Sequence, residues 1–460
     1  MLFFREKQQK TAAYASEWGR DMRSIPENVK AIMKRLEDAG YEAWCVGGAV
    51  RDMLLSREPG DWDVTTNALP ETVLELFAPH AIPTGLQHGT VTVGGGRGVE
   101  ITTYRRDGEY LDNRRPESVE FTTSLEEDLA RRDYTVNAIA MNLHGELCDP
   151  WGGQADLAAG VIRAVRDPEE RFHEDALRIM RGLRFASRLG FTIEEKTSEA
   201  IRRCAPLLKN IAVERLYVEM TGLLCGEYAA DILLQYPDVL GVFVPEILSC
   251  VGFQQHSRYH SYDVWEHTAR AVAATEPDPV LRWTMLMHDL GKPDTFTMDE
   301  NGAGHFYGHY RESVKKAQVI MERLKFDHRS KRLIETLVER HDSELNLSER
   351  SVRRQLSRYG EETLRLLLQV KRADNLAQAP EFRGRQELLS QWETMLNMEI
   401  LSGNCFSLKQ LAVKGNDLTA MGVRGKAVGE CLERLLDLVI EEKLPNDREI
   451  LLDYTKEKLL

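Results

Sequence analysis

Residues 45–52 read Cys-Val-Gly-Gly-Ala-Val-Arg-Asp, and residues 61–63 read Asp-Trp-Asp. The first stretch places two glycines between a short apolar segment and a helical pattern, which predicts a strand over residues 43–46, a turn, and a helix over residues 50–55. Backbone N–H groups in such a turn can approach phosphate oxygens closely. A purely structural strand-to-helix turn fits the same residues, so the stretch alone leaves phosphate binding open.

Two aspartates, Asp61 and Asp63, come next, on a predicted strand over residues 61–65. Alternate residues of a strand project from the same face, so the two carboxylates can share a cation. Paired carboxylates together with substrate phosphates are typical ligands of Mg²⁺. Glu100, on a later predicted strand over residues 99–104, is a candidate third carboxylate. A solvated turn with two acids, and an ordinary surface acid at Glu100, are the alternatives.

The pattern around these residues predicts a small mixed α/β domain. Further helices are predicted over residues 26–40 and 70–77, and a further strand over residues 90–93, joined to the strand over residues 99–104 by the glycines at 94–98. From about residue 167 onward the periodicity is helical, with almost no strand signal. We therefore predict the α+β class, with a mixed head followed by helical regions.

Composition narrows the class of protein. The 460 residues are 42% hydrophobic and 29% charged, with a net charge of −13, which excludes a uniformly basic nucleic-acid-binding surface but not a local basic groove. The seven cysteines include no CxxC pair, which argues against disulfides and a thiolate zinc site. No apolar run approaches the roughly 18 residues of a membrane helix, and the charged start lacks a signal-peptide core. We expect a cytoplasmic protein that does not contact membranes.

Five motifs, in order, resemble those of the class II tRNA nucleotidyltransferases, which are the CCA-adding enzymes and the related bacterial poly(A) polymerases. They occupy residues 47–63, 131–138, 149–153, 174–184 and 213–219. The resemblance implies a polymerase-beta-like head that adds C and A to tRNA 3′ ends from CTP and ATP without a template, releasing pyrophosphate. In this reaction Asp61 and Asp63 would hold Mg²⁺, and Glu100 is kept as the candidate third catalytic carboxylate on the ground of its strand position.

The same resemblance implies a nucleotide site. Its predicted members are Gly47, Gly48, Arg51, Arg132, Asp133, Asn137, Glu174, Asp175, Arg178, Arg181 and Arg184. Residues 105–116 resemble the loop that helps this family to switch from C to A addition.

Base selection is predicted at Asp175 and Arg178, which are three positions apart and so share one face of a predicted helix. An acceptor beside a donor suits the pairing edges of cytosine and adenine but not those of guanine and uracil. An intrahelical ion pair is the alternative. The arginines at 178, 181, 184 and 188 form a basic stripe, which is either a solvated helix face or part of the path of a triphosphate or RNA end.

Histidines are concentrated in the second half of the chain, where eight of the twelve lie between His256 and His341. His288-Asp289, on a predicted helix over residues 281–290, with His267 and Asp374 forms an order that resembles the HD superfamily of metal-dependent phosphohydrolases. His309 and His341 match the further histidines of members with a second metal. The resemblance implies a divalent transition metal or Mg²⁺ at this site, and phosphohydrolase activity is a hypothesis.

We predict four domains: a nucleotidyltransferase head (24–160), a helical neck with the base-selecting helix (161–250), an HD domain (251–378) and a helical tRNA-binding tail (379–460). Two other functions remain open. One is a poly(A) polymerase or A-adding enzyme of the same superfamily, and the other is an HD phosphohydrolase with an RNA-binding head. The oligomeric state is left open.

Overall fold

A computed structural model describes residues 25–95, 98–108, 119–257 and 261–459. These residues fall into two compact units that divide between Pro245 and Glu246. Among the helices in these ranges, none is long and apolar enough to cross a membrane. The chain start, used above to argue against a signal peptide, and residues 109–116 of the predicted specificity loop lie outside the described residues.

A seven-stranded sheet forms the body of the first unit. Its strands are β1 (Ala43–Val46), β2 (Asp63–Thr66), β3 (Ala81–Gly85), β4 (Thr90–Val93), β5 (Val99–Thr103), β8 (Ala140–Met141) and β9 (Leu147–Cys148). The order is β3-β4-β5-β2-β1-β8-β9, and β2 and β5 pair in parallel whereas the other neighbours are antiparallel. Two-stranded pairs join β6 (Arg105–Asp107) to β7 (Val119–Phe121) and β10 (Val161–Ile162) to β11 (Thr192–Ile193).

Helices surround this sheet and continue after it. The helices of the first unit are α1 (Glu27–Asp38), α2 (Gly48–Leu54), α3 (Pro70–Phe77), α4 (Leu125–Ala130), α5 (Gly153–Ala159), α6 (Pro168–Glu174), α7 (Leu177–Leu189), α8 (Glu195–Cys204), α9 (Val213–Leu224), α10 (Ala229–Gln235) and α11 (Pro237–Leu240). Short 3₁₀ turns cover Leu86–His88, Thr135–Asn137, Ala205–Asn210 and Pro245–Cys250.

The second unit is helical apart from one small hairpin, β12 (Thr297–Met298) with β13 (Gly304–His305). Its helices are α12 (Val264–Ala273), α13 (Pro279–Met287), α14 (Lys292–Thr295), α15 (His309–Arg323), α16 (His328–Arg340), α17 (Glu349–Leu376), α18 (Arg385–Leu401), α19 (Gly415–Ala420), α20 (Lys426–Ile440) and α21 (Arg448–Lys458), with a 3₁₀ turn at Pro380–Phe382. α17 bends at Gly360, whose φ is 75°. Near the carboxyl end of the second unit, an apolar core contains Leu411, Leu418 and Leu435.

The predicted α+β class is confirmed, and three element predictions need correction. β2 begins at Asp63 rather than Asp61, because its pairing with β1 ends where Val46 meets Asp63. The helix after the glycine turn begins at Gly48, two residues earlier than predicted. The region after residue 167 is not wholly helical, since β11, β12 and β13 lie within it.

Candidate active site

Two of the three predicted catalytic acids lie side by side at one end of the parallel strand pair. Asp63 opens β2 and lies opposite Glu100 of β5 in the register of the sheet. Asp61 is exposed and precedes the strand, so the prediction that a strand places both aspartates on one face is wrong. Burial raises the pKa of Asp63 to about 6; Arg132 opposes this rise, and the carboxylates of Asp61 and Glu100 add to it. The charges of Asp61 and Glu100 thus both act on Asp63, although the three acids are not among the groups of described residues whose ligand atoms lie within 4.8 Å of one another.

The glycine turn borders the same region. Gly47 has a φ of 72° and precedes α2. A Cβ atom at this position would lie 3.3 Å from Arg132 Nη1 and 4.0 Å from Asp63 Oδ2. Arg132 Nε is buried and has no hydrogen-bond partner among the described residues. Gly47 therefore packs close to the Asp63 carboxylate and the Arg132 guanidinium, and a side chain at this position would crowd the guanidinium.

This donor set fits a hard divalent cation. Carboxylate oxygens are the protein ligands that Mg²⁺ prefers, and a cation would offset both the burial and the repulsion that raise the pKa of Asp63. Asp61, Asp63 and Glu100 are the residues that would hold it.

Seven side chains form a polar chain in which acids alternate with arginines, except that the amide of Asn137 lies between Arg51 and Asp133. Successive residues are joined by nitrogen-to-oxygen contacts of 2.8, 2.9, 3.3, 2.7, 4.0 and 2.6 Å in turn, with the acids always on the accepting side. The polar chain runs Asp52, Arg51, Asn137, Asp133, Arg181, Glu219, Arg184. It brings together five predicted nucleotide-site residues from α2, α7 and the turn between α4 and α5.

Asp133 lies in the middle of the polar chain. Its Oδ2 accepts a hydrogen bond from Arg181 Nε at 2.7 Å, and its Oδ1 accepts from the Tyr134 backbone N–H at 2.8 Å. Burial by itself would raise the pKa of Asp133, but the Arg181 guanidinium overrides it and the pKa falls to about 2. The carboxylate is therefore charged throughout the physiological range.

The structure corrects the prediction that Asp175 and Arg178 share a helix face. Asp175 lies between α6 and α7, where its Oδ1 accepts from the Leu177 N–H at 3.0 Å and its Oδ2 accepts from Arg215 Nη2 at 3.1 Å. Arg178 is buried and donates to Glu174 Oε2 at 2.6 Å. The alternative of an ion pair between the two is not observed either, because Glu174 and Arg215 are their charged partners. An aspartate whose side chain accepts from the first N–H of a helix marks the start of that helix, which explains why the helical pattern is interrupted between α6 and α7.

The basic stripe of α7 is not a solvated face along its length. Arg178, Arg181 and Arg184 each form an ion pair with an acid, and only Arg188 of the four is exposed. Arg178 also donates to the Arg131 carbonyl at 3.0 Å, which links α7 to the segment that carries Arg132. Arg178 is buried, whereas Arg181 and Arg184 are partly exposed while paired with acids.

A second cluster lies in the second unit, where Asp289 joins two groups of possible metal ligands. Asp289 Oδ2 lies 3.4 Å from His267 Nε2 and 3.1 Å from His288 Nε2. Asp289 Oδ1 lies 3.4 Å from His309 Nε2 and 3.6 Å from His341 Nε2. All five residues are buried, so the cluster is held away from bulk water.

The orientation of the four imidazoles fits metal binding. The Nδ1 atoms of His288, His309 and His341 lie 2.7, 2.9 and 2.7 Å from backbone carbonyl oxygens, and that of His267 lies 3.4 Å from one. A ring that donates from Nδ1 presents a lone pair at Nε2, and these Nε2 atoms face each other in pairs at 3.3 and 3.1 Å. Opposed lone pairs beside a carboxylate suit divalent cations with nitrogen and oxygen ligands.

Asp374 of α17 completes the predicted set, with its Oδ1 3.0 Å from His267 Nε2. Burial would raise the pKa of Asp374, but the imidazoles of His267 and His288 hold it well below its usual range. One element prediction is wrong here: α13 ends at Met287, so His288 and Asp289 follow the helix and do not lie within it.

Several residues at the two sites were missed by the sequence analysis. Glu219 lies in the fifth motif, but its arginine partners are 35 or more positions away, and no spacing rule reveals them. Phe185 lies under three arginines, as described below. Lys292 places its Nζ 2.7 Å from Asp289 Oδ2 and donates to Gln255 Oε1 at 2.8 Å. The sequence signal that could have indicated Lys292 is its position, three residues after Asp289.

Comparison with known proteins places three family matches along the chain. Residues 43–163 match the Poly A polymerase head domain, residues 190–249 match the "Probable RNA and SrmB- binding site of polymerase A", and residues 307–455 match tRNA nucleotidyltransferase domain 2.

Relatives match over different lengths. A CCA-adding enzyme of Levilactobacillus brevis is 36% identical over 427 residues, covering 92% of this chain and 96% of that protein. A CCA-adding enzyme of Geobacillus thermodenitrificans is 46% identical over 262 residues, so this match covers 56% of the chain and spans only 62% of that relative. The crystal structure of the Bacillus stearothermophilus CCA-adding enzyme in complex with CTP is similar with a TM-score of 0.71 and 30% identity, covering 94% of this chain and 96% of that one.

Proposed function

The chain belongs to the family of CCA-adding enzymes, and on that premise we propose that it adds C and A to the 3′ end of tRNA from CTP and ATP without a template. The observation that carries the proposal is the pair of Asp63 and Glu100 on neighbouring strands, with Asp61 acting on Asp63 and with Gly47 and Arg132 beside them. Carboxylates that can bind a cation and a guanidinium that can bind phosphate are what nucleotidyl transfer needs.

In this mechanism the residues of the chain bind and orient the reactants. Asp61, Asp63 and Glu100 would hold Mg²⁺, which supplies charge neutralisation at the attacking and leaving oxygens. Arg132, whose Nη1 lies beside the glycine turn, would donate to the phosphates, and the partly exposed arginines of the polar chain would hold the triphosphate. Pyrophosphate leaves as the tRNA 3′-hydroxyl forms its bond to the α-phosphate.

Base selection is assigned to the start of α7. Arg178 and Asp175 keep the donor and acceptor that cytosine and adenine require, although each is held by its own partner, Glu174 or Arg215. The proposal further assigns tRNA binding to residues 379–460. The four-domain division and the cytoplasmic location stay predictions.

The test uses tRNA transcripts that end before CCA, after C and after CC, with CTP, ATP or both. We expect growth to CCA and no further, and loss of incorporation in Asp63→Asn. The matched control is Asp38→Asn, an exposed aspartate at the end of α1, which should add nucleotides as the parent does. Growth only from the CC end would indicate an A-adding enzyme, and unlimited A tails would indicate a poly(A) polymerase. No incorporation by the folded parent would overturn the proposal.

The buried cluster around Asp289 favours a second candidate function, metal-dependent phosphohydrolysis in the second unit. His267, His288, Asp289, Asp374, His309 and His341 would hold a divalent transition metal or Mg²⁺, which supplies Lewis-acid activation of a phosphate ester. The test measures the metal content of the purified protein and its hydrolysis of bis(p-nitrophenyl) phosphate. Equal hydrolysis by Asp289→Ala and by the parent would rule out this second candidate function.

A further inference from the structure

Phe185 of α7 lies among three arginines of the polar chain. The guanidinium carbons of Arg51, Arg181 and Arg184 lie 5.4, 5.3 and 4.6 Å from the centroid of its ring. The side chain is 6% exposed, so the ring is an interior group and not a surface contact. All three distances lie within the range of cation–π attraction, which strengthens when the pair is desolvated.

A second aromatic ring fixes Phe185. Tyr134 packs edge-on against it, with centroids 6.0 Å apart and an interplanar angle of 83°. The Tyr134 hydroxyl donates to the Arg178 carbonyl at 2.6 Å, which ties this ring to α7. Gly182 makes the approach feasible, since a Cβ there would lie 2.2 Å from the Tyr134 hydroxyl oxygen.

The polar chain and the ring constrain different properties of the arginines. Asp52, Asp133 and Glu219 determine where the charged nitrogens lie, through contacts made at the edge of each guanidinium. An aromatic ring instead constrains the face of the planar guanidinium group. With both constraints, an arginine loses little further side-chain freedom when it binds a phosphate.

We propose that Phe185 is a positioning residue for nucleotide binding, whose ring holds the guanidinium groups of Arg51, Arg181 and Arg184 ready for the incoming triphosphate. The inference rests on the proposed nucleotidyltransferase function and adds a residue to it. Phe185 touches arginines and not the reacting atoms. Its removal therefore weakens nucleotide binding more than it slows the chemical step.

The primary test is steady-state kinetics of Phe185→Leu with CTP and with ATP. Without the ring, the three guanidinium groups must be ordered when the nucleotide binds, which corresponds to a rise in KM of about 10-fold or more for both nucleotides. We expect kcat to stay within about 3-fold of the parent. Phe185→Tyr, which retains the ring, should restore KM. A role in folding alone would lower the active fraction, and thus kcat, while leaving KM unchanged.

The chain offers a matched control in Phe77→Leu. Phe77 of α3 is also 6% exposed, lies in the same unit and carries Arg35 over its ring at 5.3 Å. Arg35 is outside the predicted nucleotide site, so this variant should keep the parent KM. An equal rise in KM in both leucine variants would overturn the proposal.

Fluorinated phenylalanines at position 185 keep the test decisive if Phe185→Leu does not fold. Fluorine weakens the negative face of the ring with little change in its shape, so KM should rise stepwise with the number of fluorine atoms. A KM that stays constant across the series would refute the role of Phe185. Failure of the proposed function has a different signature, because the parent itself would then add no nucleotide.

Discussion

Asp133 is a buried carboxylate that accepts hydrogen bonds from Arg181, Asn137 and the Tyr134 backbone. Its pKa of about 2 lies below the ordinary value of 3.8, because the Arg181 guanidinium outweighs burial. A carboxyl group whose pKa is lower in the folded state stabilises that state above its unfolded pKa, and this contribution is lost as the pH falls through the folded pKa. Asp133 should therefore stabilise the protein at neutral pH.

Asp133→Asn should lower the free energy of unfolding by about 2 kcal/mol at pH 7, since one pKa unit corresponds to about 1.4 kcal/mol. The difference between parent and variant should stay constant down to about pH 5 and fall to about half near pH 3, as the unfolded carboxyl takes up its proton. Urea titrations followed by circular dichroism at each pH measure it. A difference that grows on acidification would contradict the assigned pKa.

Individual residues were predictable where chemistry alone singles them out. Asp63 and Glu100 were expected to meet, and the register of β2 and β5 places them opposite each other. Phe185 and Glu219 were not predictable, because each acts through partners distant in sequence whose approach depends on packing. A buried phenylalanine beneath arginines has the same sequence pattern as one in an apolar core.

At the scale of elements, α7 packs so closely against Tyr134 that only glycine fits at position 182. Gly182→Ala places a carbon atom 2.2 Å from the Tyr134 hydroxyl oxygen, so Tyr134 must move and lose its hydrogen bond to Arg178. We expect a loss of stability of about 1–3 kcal/mol, measured by thermal unfolding.

Gly429 provides the control for this helix substitution. It lies within α20, and a Cβ there has no heavy atom within 4 Å. Gly429→Ala should raise stability by about 0.5–1 kcal/mol, because alanine is the better helix former. If Gly182→Ala were as stable as Gly429→Ala, the close approach of α7 to Tyr134 would be wrong.

The bounds of helices and strands were predictable where hydrophobic periodicity is clear. Their prediction failed where contacts with other elements determine where a helix or strand begins or ends. β1, β4 and α3 have the predicted bounds. β3 was not predicted, since Pro83 interrupts its pattern, and the strand tolerates proline because it lies at the edge of the sheet. Asp175 separates α6 from α7 by accepting from a helix-start N–H, a choice that the continuous helical pattern conceals.

At the scale of the whole molecule, the chain carries two ligand clusters of different chemistry. The cluster at Asp63 offers oxygen ligands, whereas the cluster at Asp289 offers four imidazole nitrogens as well. Oxygen ligands suit Mg²⁺, and imidazole ligands suit transition metals.

The two clusters should therefore lose function separately. His288→Ala should lower the content of tightly bound transition metal, measured by elemental analysis. It should leave nucleotide addition with Mg²⁺ within about 2-fold of the parent, because no described residue of the first unit takes part in that cluster. Asp63→Asn should instead abolish nucleotide addition and leave the content of tightly bound transition metal as in the parent. Loss of nucleotide addition in His288→Ala would show that the sites are coupled.

Five motifs were enough to predict the family and the fold class, since their order along the chain is specific. The arrangement of the histidine cluster was not predictable from spacing, because its ligands lie on or next to α12, α13, α15, α16 and α17. That Asp289 serves both pairs of histidines with different oxygens is a property of the packed unit and not of the His-Asp pair.

The polar chain from Asp52 to Arg184 also has a consequence for how this protein can evolve. Losing Glu219 would remove a counter-charge from both Arg181 and Arg184, and losing Asp133 would remove one from Arg181, so each loss weakens the charge balance of its neighbours. A lineage can then tolerate a change at Asp133 or Glu219 only alongside a second change nearby. Among descendants of this gene, we expect these positions to be inherited together or replaced in pairs.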